Sequence, residues 1–401
     1  MGEDPDKSEQ PLTGPEDQAA PAATFDFEEQ QGSWAELPTP QREHTAPMAH
    51  PHTRPAGTRT VVPSQLPESG SLSKPSLDGV TWSPKSGGEE AFSVPLEVPG
   101  YRIRRPLGHG GMGEVYLAER LGNAGVSVPC VIKTILPGQD QETRFKRRFL
   151  NEARIVAGLS HPNIVGVYDV GESDERLYMT MEWVDGLDAR DLMRTARKRG
   201  ADIPLRHAVY ILRQALQGLH HAHTASGPGG HPLNLVHRDL SPENLLLSRQ
   251  GAVKITDFGV AKQVAPGQRA GLAGKVHYFA PELFGKGEAT VRSDVFALGV
   301  TFYELLTVKP LFNRRLSFAR VRDAILDFDV WDLLELDLTV PEGLERVLEQ
   351  ALASDPADRY PSALAFLEDV NDYVYESGVR LLDAHFAQYV ERVVAQRTEG
   401  T

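Results

Sequence analysis

Alternating apolar and polar residues mark a series of predicted strands that begins at Tyr101. A period of two is typical of strands that bury one face. The segments 101–104 and 114–118 flank a glycine-rich loop and together predict a hairpin. Further strands are predicted at residues 128–135, 164–170 and 177–183. One helix is predicted at 145–159, where apolar residues recur at helical spacing until Pro162 disfavours helix.

After Gly186 the apolar residues follow a mainly helical period. Helices are predicted at residues 205–223, 293–307, 344–353, 363–375 and 381–396. A small sheet with one helix, followed by a larger helical body, predicts an α+β fold of two lobes with a cleft between them.

Residues 1–98 show neither period and hold about half of the 29 prolines, with many Ser, Gly, Glu and Gln residues. Such a segment cannot bury enough apolar surface to offset the entropy lost on ordering. We therefore predict a disordered tail at 1–98, a two-lobed domain at 99–375 and an amphipathic helix with a short tail at 376–401.

The predicted last helix carries one apolar stripe. Its members are Leu382, Phe386, Tyr389, Val390, Val393 and Val394. A stripe of this kind faces either the core of the same domain or another surface. We favour packing on the large lobe, and a dimer or partner contact is the alternative.

Composition narrows the class of protein. The net charge of −13 argues against nucleic-acid binding, since no basic face would remain. A single cysteine excludes a disulfide framework and suits a reducing compartment. No apolar run reaches the ~18 residues needed to span a bilayer, and the acidic start is unlike a signal peptide. We expect a cytoplasmic protein without a membrane span.

Five short segments carry the candidate chemistry. Any one alone is a weak signal, because a G-x-G-x-x-G loop also opens many dinucleotide sites. In this order they are typical of phosphoryl transfer. They are LGHGGMGEV at 107–115, VIK at 131–133, HRD at 237–239 with Asn244, DFG at 257–259 and APE at 280–282.

On these motifs the stretch from about residue 101 to 373 resembles the eukaryotic-like Ser/Thr protein kinases, and GHGGMGEVYLA resembles their bacterial branch. The resemblance implies the bilobal protein kinase fold, with a small β-rich N-lobe at 99–184 and a large α-helical C-lobe at 185–375. It also implies ATP-dependent phosphorylation of protein Ser/Thr hydroxyls in bacterial cytosolic signalling, with ATP and Mg²⁺ as cofactors and proteins as substrates.

The resemblance also assigns a nucleotide site. Glycines let backbone N–H groups approach phosphate oxygens, and a hinge offers its backbone to adenine. The implied ATP-binding residues are Leu107, Gly108, His109, Gly110, Gly111, Met112, Gly113, Glu114, Val115, Val131, Lys133, Glu182, Val184 and, at the ribose, Asp188. Met181 corresponds to the gatekeeper. Val131 stands where the family generally has alanine, and two extra methyl groups could crowd the adenine ring.

Catalytic roles follow in the same way. Asp239 is the implied base or orienter of the substrate hydroxyl. Lys133 would pair with the α/β-phosphates and be held by Glu152. Asn244 and Asp257 would supply oxygen ligands to Mg²⁺.

Other residues are implied to form the scaffold of the site. Glu282 would form a structural ion pair with Arg359, and Asp294 would fix the backbone of the HRD segment. Val156 would stack towards Phe258 and His237.

One departure from the family concerns positive charge. The position two after Asp239 is usually lysine and is Ser241 here, whereas Lys275 stands where threonine is usual. Phosphoryl transfer needs positive charge near the γ-phosphate. We hypothesise that Lys275 folds back beside Asp239 and supplies it as a catalytic residue. The exchange weakens the sequence argument for Ser/Thr over Tyr acceptors.

A second departure concerns the activation segment. Residues 260–279 contain no Ser, Thr, Asp or Glu, and Tyr278 is their only phosphorylatable side chain. We therefore predict that Ser/Thr phosphorylation of this loop does not activate the protein. Control would come from a partner, the N-terminal tail or the C-terminal helix.

Two alternatives remain at this point. A pseudokinase-like nucleotide-binding scaffold on the same fold is favoured by Ser241, Val131 and the bare activation segment. A small-molecule kinase is disfavoured by Glu282 and Arg359, which shape a peptide-docking platform in the family.

Overall fold

The computed structural model describes residues 97–110, 113–135, 150, 153, 155–173, 176–227, 229–258, 275–285, 287–330 and 340–398. The tail predicted at 1–98 lies outside these ranges except for its last two residues. Most of the helix predicted at 145–159 also lies outside them.

An antiparallel five-stranded sheet forms the first lobe, with strand order β1-β2-β3-β5-β4. Its strands are β1 (Tyr101–Gly110), β2 (Gly113–Leu121), β3 (Ser127–Ile135), β4 (Val167–Ser173) and β5 (Arg176–Glu182). Alternation gives the sheet two buried faces. Tyr116, Ala118, Cys130 and Ile132 belong to one apolar cluster. Met179, Met181 and Val131 belong to a second, which also includes Leu246 from the other lobe.

The second lobe is mainly helical. Its helices are α1 (Ala189–Lys198), α2 (Leu205–His223), α3 (Val291–Thr307), α4 (Phe318–Leu326), α5 (Leu344–Ala351), α6 (Ala363–Ser377) and α7 (Asp383–Thr398). A small sheet of β6 (Gly186–Asp188), β7 (Leu245–Ser248) and β8 (Val253–Ile255) lies in the same lobe. The predicted α+β fold of a small β-rich and a larger helical lobe is confirmed.

Helix α3 is the central core helix, because nearly all of its residues are buried. A helix that is buried on nearly every side lies inside the core rather than on its surface. It begins at a capping box in which the hydroxyl oxygens of Thr290 and Ser293 each accept a hydrogen bond from the other's backbone N–H. It ends at Val308, which adopts a left-handed conformation with φ of 57°.

The helices predicted at 205–223 and 293–307 match α2 and α3 closely. Helices α1 and α4 and the strands β6 to β8 were not predicted. The three strands have only three or four residues each, which is too short for a period to emerge. The fourth strand lies later than predicted, and Ile164 instead forms an isolated parallel bridge with Ile255.

None of the helices within the described ranges combines the length and apolar character that a membrane crossing requires.

An ion pair between Glu282 and Arg359 joins distant parts of the helical lobe. Two guanidinium nitrogens of Arg359 lie 3.0 Å from the two carboxylate oxygens of Glu282. Arg359 is 1% exposed and also donates to the carbonyls of Ala353 and Ser354. Burial acts to raise the pKa of Glu282, but hydrogen bonds from Arg359 and Ser293 outweigh it and hold that pKa below its usual value.

Arg359→Met should lower the free energy of unfolding by about 3 kcal/mol, because it leaves the Glu282 charge without its partner and three carbonyls without a donor. Urea unfolding followed by circular dichroism measures the change. Arg322→Met is the matched control: Arg322 pairs with Asp323 at an exposed position, so its loss should cost less than about 0.5 kcal/mol. Equal costs for the two variants would contradict the structural role of Arg359.

Candidate active site

The glycine-rich loop is the turn of the hairpin between β1 and β2. Gly108 pairs with Val115, and Gly110 pairs with Gly113 across the two strands. Gly113 has a φ of 144°, which favours glycine at that position. The loop tip, residues 111 and 112, lies outside the described ranges.

Lys133 lies on β3 directly opposite Val115 of β2. Its Nζ donates to Oδ1 of Asp257 at 2.6 Å. Asp257 adopts a left-handed conformation with φ of 58°, uncommon for a residue with a side chain. The sheet and the helical lobe therefore meet through this charge pair. Glu152, the expected partner of Lys133, is outside the described part of the chain.

An apolar cluster joins side chains of the sheet to one from the helical lobe. Val131 pairs with Met181 across β3 and β5. Both share an apolar cluster with Val184 and with Leu246 of β7. The sequence analysis missed Leu246. Its alternation with the buried Leu245 and Leu247 is the signal that could have shown that it points the other way.

Glu182 ends β5 at the junction of the two lobes. Its carboxylate accepts from Lys254 at 2.9 Å and from the backbone of Gly166 at 3.2 Å. Its own amide donates to the Gly166 carbonyl at 2.8 Å. These bonds fix the hinge backbone against both lobes.

The HRD segment is held by one carboxylate at the start of α3. Asp294 accepts the amides of His237 and Arg238 at 2.8 and 2.9 Å. It also lies 2.9 Å from Nε2 of His223. Arg238 has a φ of 66°, a conformation that needs such external support.

His237 orders the residues on either side of the cleft. Its Nε2 lies 3.0 Å from the Thr256 carbonyl, which can only accept, so Nε2 carries the proton. Its Nδ1 accepts the Asp239 amide at 3.2 Å. Burial lowers the pKa of His237, which favours the neutral ring. The ring contacts Phe258 in a tilted arrangement with centroids 4.6 Å apart, and Val156 belongs to the same apolar core as Phe258.

Asp239 is buried and held by two side chains. Asn244 donates from Nδ2 to the Asp239 carbonyl at 2.7 Å and to Oδ2 at 3.1 Å. Lys275 donates from Nζ to the same Oδ2 at 2.5 Å. The buried hydroxyl of Ser241 has no hydrogen-bond partner among the residues the structure describes. Lys275 thus lies beside Asp239, as hypothesised from the sequence.

A backbone hydrogen bond connects the Lys133–Asp257 pair with the Asn244–Asp239 pair. Thr256, which precedes Asp257, donates its amide to the Asn244 carbonyl at 3.0 Å. Lys133, Asp257, Asn244 and Asp239 thus form one connected network at the junction of the lobes.

The network fits a magnesium ion. Mg²⁺ prefers oxygen ligands and needs few from the protein. Asn244 uses its Nδ2 on Asp239, so Oδ1 is the amide atom that remains as a ligand. Together with the Asp257 carboxylate it provides a hard donor set.

Asp188 caps helix α1 at the ribose side of the predicted site. Its Oδ1 accepts the Asp191 amide at 2.7 Å. Asp188 is only 7% exposed. Burial, and next the neighbouring charge of Asp191, raise the pKa of Asp188 to about 7.

Tyr278, the one phosphorylatable residue of the activation segment, is 6% exposed. Its hydroxyl donates to Oε2 of Glu304 at 2.9 Å and contacts Arg314. Burial raises the pKa of Tyr278 well above its usual value. Phosphorylation of this hydroxyl would require the buried group to leave its partners. Residues 260–274 of the segment are outside the described ranges.

Comparison with known proteins agrees with this geometry. Residues 101–370 match the family described as "Protein kinase domain". The chain is 40% identical over 292 residues to "Tyrosine-protein kinase MasK" of Myxococcus xanthus, covering 72% of this chain and 45% of that protein. It is 34% identical over 268 residues to "Serine/threonine-protein kinase PrkC" of Bacillus subtilis, covering 66% of this chain and 39% of that protein.

A solved structure is similar as well. The crystal structure of the PknI kinase domain from Mycobacterium tuberculosis is 29% identical, with a TM-score of 0.51, and the match covers 71% of this chain and all of that one. The chain spans less than half the length of the two curated relatives named above.

Asp188→Asn should stabilise the protein at pH 8 more than at pH 5. Asp188 has a folded-state pKa near 7, above the unfolded value of about 3.9. The native state therefore holds this proton up to about pH 7, and stability falls as the pH rises between the two values. Asparagine caps a helix as well as aspartate and carries no charge.

Thermal unfolding at pH 5 and pH 8 measures the effect, and each kcal/mol gained should raise the midpoint by about 3 °C. The charged side chains that influence the pKa of Asp188 are Asp191 and Arg190 on α1 and Arg397 on α7. Asp202→Asn, at an exposed position, is the control and should show no such pH dependence. A gain for Asp188→Asn that is the same at both pH values would refute the assignment.

Proposed function

The chain belongs to the protein kinase family, and on that premise we propose that it transfers the terminal phosphoryl group of Mg·ATP to hydroxyl groups of protein substrates. The eukaryotic-like bacterial Ser/Thr kinases are the relatives on which we base the acceptor class.

One observation carries this proposal: the charged side chains needed for phosphoryl transfer form a single contact network between the lobes. Lys133 bonds Asp257, and Asn244 bonds Asp239. A scaffold without catalytic function has no need of a buried carboxylate held by an amide and a lysine, because desolvating such groups is costly.

The residues have separate roles in the proposed reaction. Asp239 accepts a hydrogen bond from the substrate hydroxyl and orients it, then takes its proton as the new oxygen–phosphorus bond forms. The bond between the γ-phosphorus and the bridging oxygen breaks, and ADP leaves. Lys133 holds the α/β-phosphates. Asn244 and Asp257 would hold Mg²⁺, which neutralises phosphate charge.

Lys275 provides the positive charge that Ser241 cannot. A lysine in the catalytic loop would neutralise the transferring phosphoryl group, and Lys275 enters the same space from the activation segment. Preorganised charge of this kind contributes more in a water-poor site than in solvent.

Ser and Thr are the proposed acceptors, and tyrosine is the second candidate. Two observations favour tyrosine: Ser241 replaces the lysine usual in Ser/Thr kinases, and a similar relative is named a tyrosine-protein kinase. The segment Ser241-Pro242-Glu243-Asn244 is unlike the tyrosine-kinase loop, which favours Ser/Thr.

We propose that the reaction serves bacterial signalling in the cytosol, where ATP is available. Cys130, the one cysteine, is fully buried, and burial raises its pKa to about 11. It therefore behaves as an inert core residue, as suits a reducing compartment. A regulatory partner for the N-terminal tail or the C-terminal helix is part of the same proposal.

Asp239→Asn should lower phosphoryl transfer by about 10³-fold, because amide nitrogen and oxygen cannot accept the hydroxyl proton. Transfer of ³²P from labelled ATP to a generic protein substrate measures it. Acid hydrolysis of the product identifies the acceptor, and phosphoserine or phosphothreonine is expected.

The same protein samples are assayed for Mg·ATP binding. Binding without transfer in the wild type would favour the pseudokinase-like scaffold. Undiminished transfer by Asp239→Asn would remove Asp239 from the reaction. Phosphotyrosine as the only product would select the second candidate.

Lys275→Ala should lower kcat by about 100-fold with a smaller change in KM, since the charge acts mainly on the transition state. The double variant Ser241→Lys/Lys275→Thr should recover most of the activity that Lys275→Thr alone loses. Steady-state kinetics with varied ATP measures both.

Lys198→Ala, at an exposed lysine of α1, is the matched control and should leave kcat unchanged. If Lys275→Ala keeps the wild-type kcat, or if the double variant is no better than Lys275→Thr, the charge is not supplied from this position.

A further inference from the structure

Helix α7 packs against the segment that carries the ribose side of the proposed nucleotide site. It contacts β6, α1 and β7. Strand β6 follows the hinge directly and ends at Asp188. The family match ends at residue 370, so α7 lies beyond it. The helix therefore lies outside the matched region and contacts the segment that ends at Asp188.

The apolar face of α7 is fully inserted into the core of the helical lobe. Phe386, Val390, Val393 and Val394 are all buried there. Burying these apolar side chains favours the packed position of the helix. The predicted packing of this helix on the large lobe is what the structure shows.

Aromatic contacts with α2 fix where α7 lies along the lobe. The ring of His207 stacks on Tyr389 with centroids 4.3 Å apart, and Tyr210 contacts Phe386 at 4.6 Å. The Tyr210 hydroxyl lies 3.0 Å from Oδ1 of Asp383 at the start of α7. Burial lowers the pKa of His207 to about 4, so the stacked ring is neutral near pH 7. With its start anchored in this way, α7 has one register.

That register places Arg397 on the first turn of α1. Its Nη1 lies 2.8 Å from Oδ2 of Asp191. Asp191 is only 5% exposed, and its amide donates to Oδ1 of Asp188. Two buried carboxylates thus lie within one helical turn, and the guanidinium of α7 offsets their repulsion. Helix α1 itself carries further cations near these carboxylates: Arg194 is 3.4 Å from Asp191 and has a half-exposed side chain, and Arg190 pairs with Glu243.

We propose that Arg397 is a positioning residue of the nucleotide site: by pairing with Asp191 it holds the first turn of α1 so that Asp188 presents its second carboxylate oxygen to the ribose hydroxyls. This rests on the proposed function, because the ligand is the sugar of ATP or ADP. Oδ1 of Asp188 caps α1, and Oδ2 is the atom assigned to the sugar.

The proposal differs from a purely structural role of α7 in one respect. A helix that only stabilises the lobe would affect every nucleotide equally when weakened. A residue that acts through Asp188 affects only the part of the affinity that depends on the ribose hydroxyls.

The test compares two ligands by isothermal titration calorimetry on the full chain: Mg·ADP and Mg·2′,3′-dideoxy-ADP. Arg397→Met retains the apolar stem of the side chain and removes the charge. It should weaken Mg·ADP about tenfold, as expected for losing one charge-assisted hydrogen bond, and change the dideoxy nucleotide less than twofold.

Three further variants separate charge from packing. Arg392→Met, at an exposed position of the same helix, is the control and should change neither Kd. Arg397→Lys should recover part of the lost affinity. Asp191→Asn/Arg397→Met should recover most of it, because without the Asp191 charge there is no repulsion to offset. If Arg397→Met alone fails to fold, Arg397→Lys and Asp191→Asn/Arg397→Met still allow the proposal to be tested.

Equal weakening of both nucleotides, or no weakening of either, would overturn the proposal while leaving the proposed function intact. A wild-type protein that binds neither nucleotide would overturn the proposed function, and this inference with it.

Discussion

The carboxylate of Asp294 is the constraint on which the active site depends. It accepts two consecutive backbone amides, from His237 and Arg238, and through them fixes a left-handed residue immediately before Asp239. Such a conformation costs free energy and persists only when its surroundings determine it. Here the surrounding element is α3, a helix that is buried on nearly every side. Because Asp294 belongs to this helix, the loop that carries Asp239 is held by a rigid part of the core.

A short series of hydrogen bonds connects this loop to the other charged side chains of the candidate site. The His237 ring donates to the Thr256 carbonyl, and the Thr256 amide donates to the Asn244 carbonyl. Asp257 follows Thr256 in the chain and meets Lys133 of the sheet. The lobes are therefore joined at the site by a charge pair that a nucleotide phosphate could enter.

Most of the site could be predicted from the sequence because its members lie in short motifs with fixed spacing. Asp239 and Asn244 share one loop, and Lys133 lies on a strand whose alternation is plain. Lys275 was identified because it replaces the threonine that is usual at this position of the family. Leu246 and helix α1 were missed, since a three- or four-residue strand and a short charged helix have little periodicity. The pairing of Arg397 with Asp191 has no local signal at all, because it depends on how two distant helices pack.

The packing of α7 extends the folded unit of this chain beyond the region that matches the family. Its residues lie beyond the family match, yet Phe386 and Val390 belong to the same apolar core as Phe296 of α3. A core is close-packed, so elements that share it respond together to strain. The helix that supplies Asp294 and the helix that supplies Arg397 therefore belong to one packed body. On the proposed function, the first fixes the loop that would orient the acceptor, and the second supports the edge where the donor's sugar would bind. If the further inference is correct, α7 acts on the proposed nucleotide site through β6 and α1, two of the elements it contacts, and not through a reacting atom.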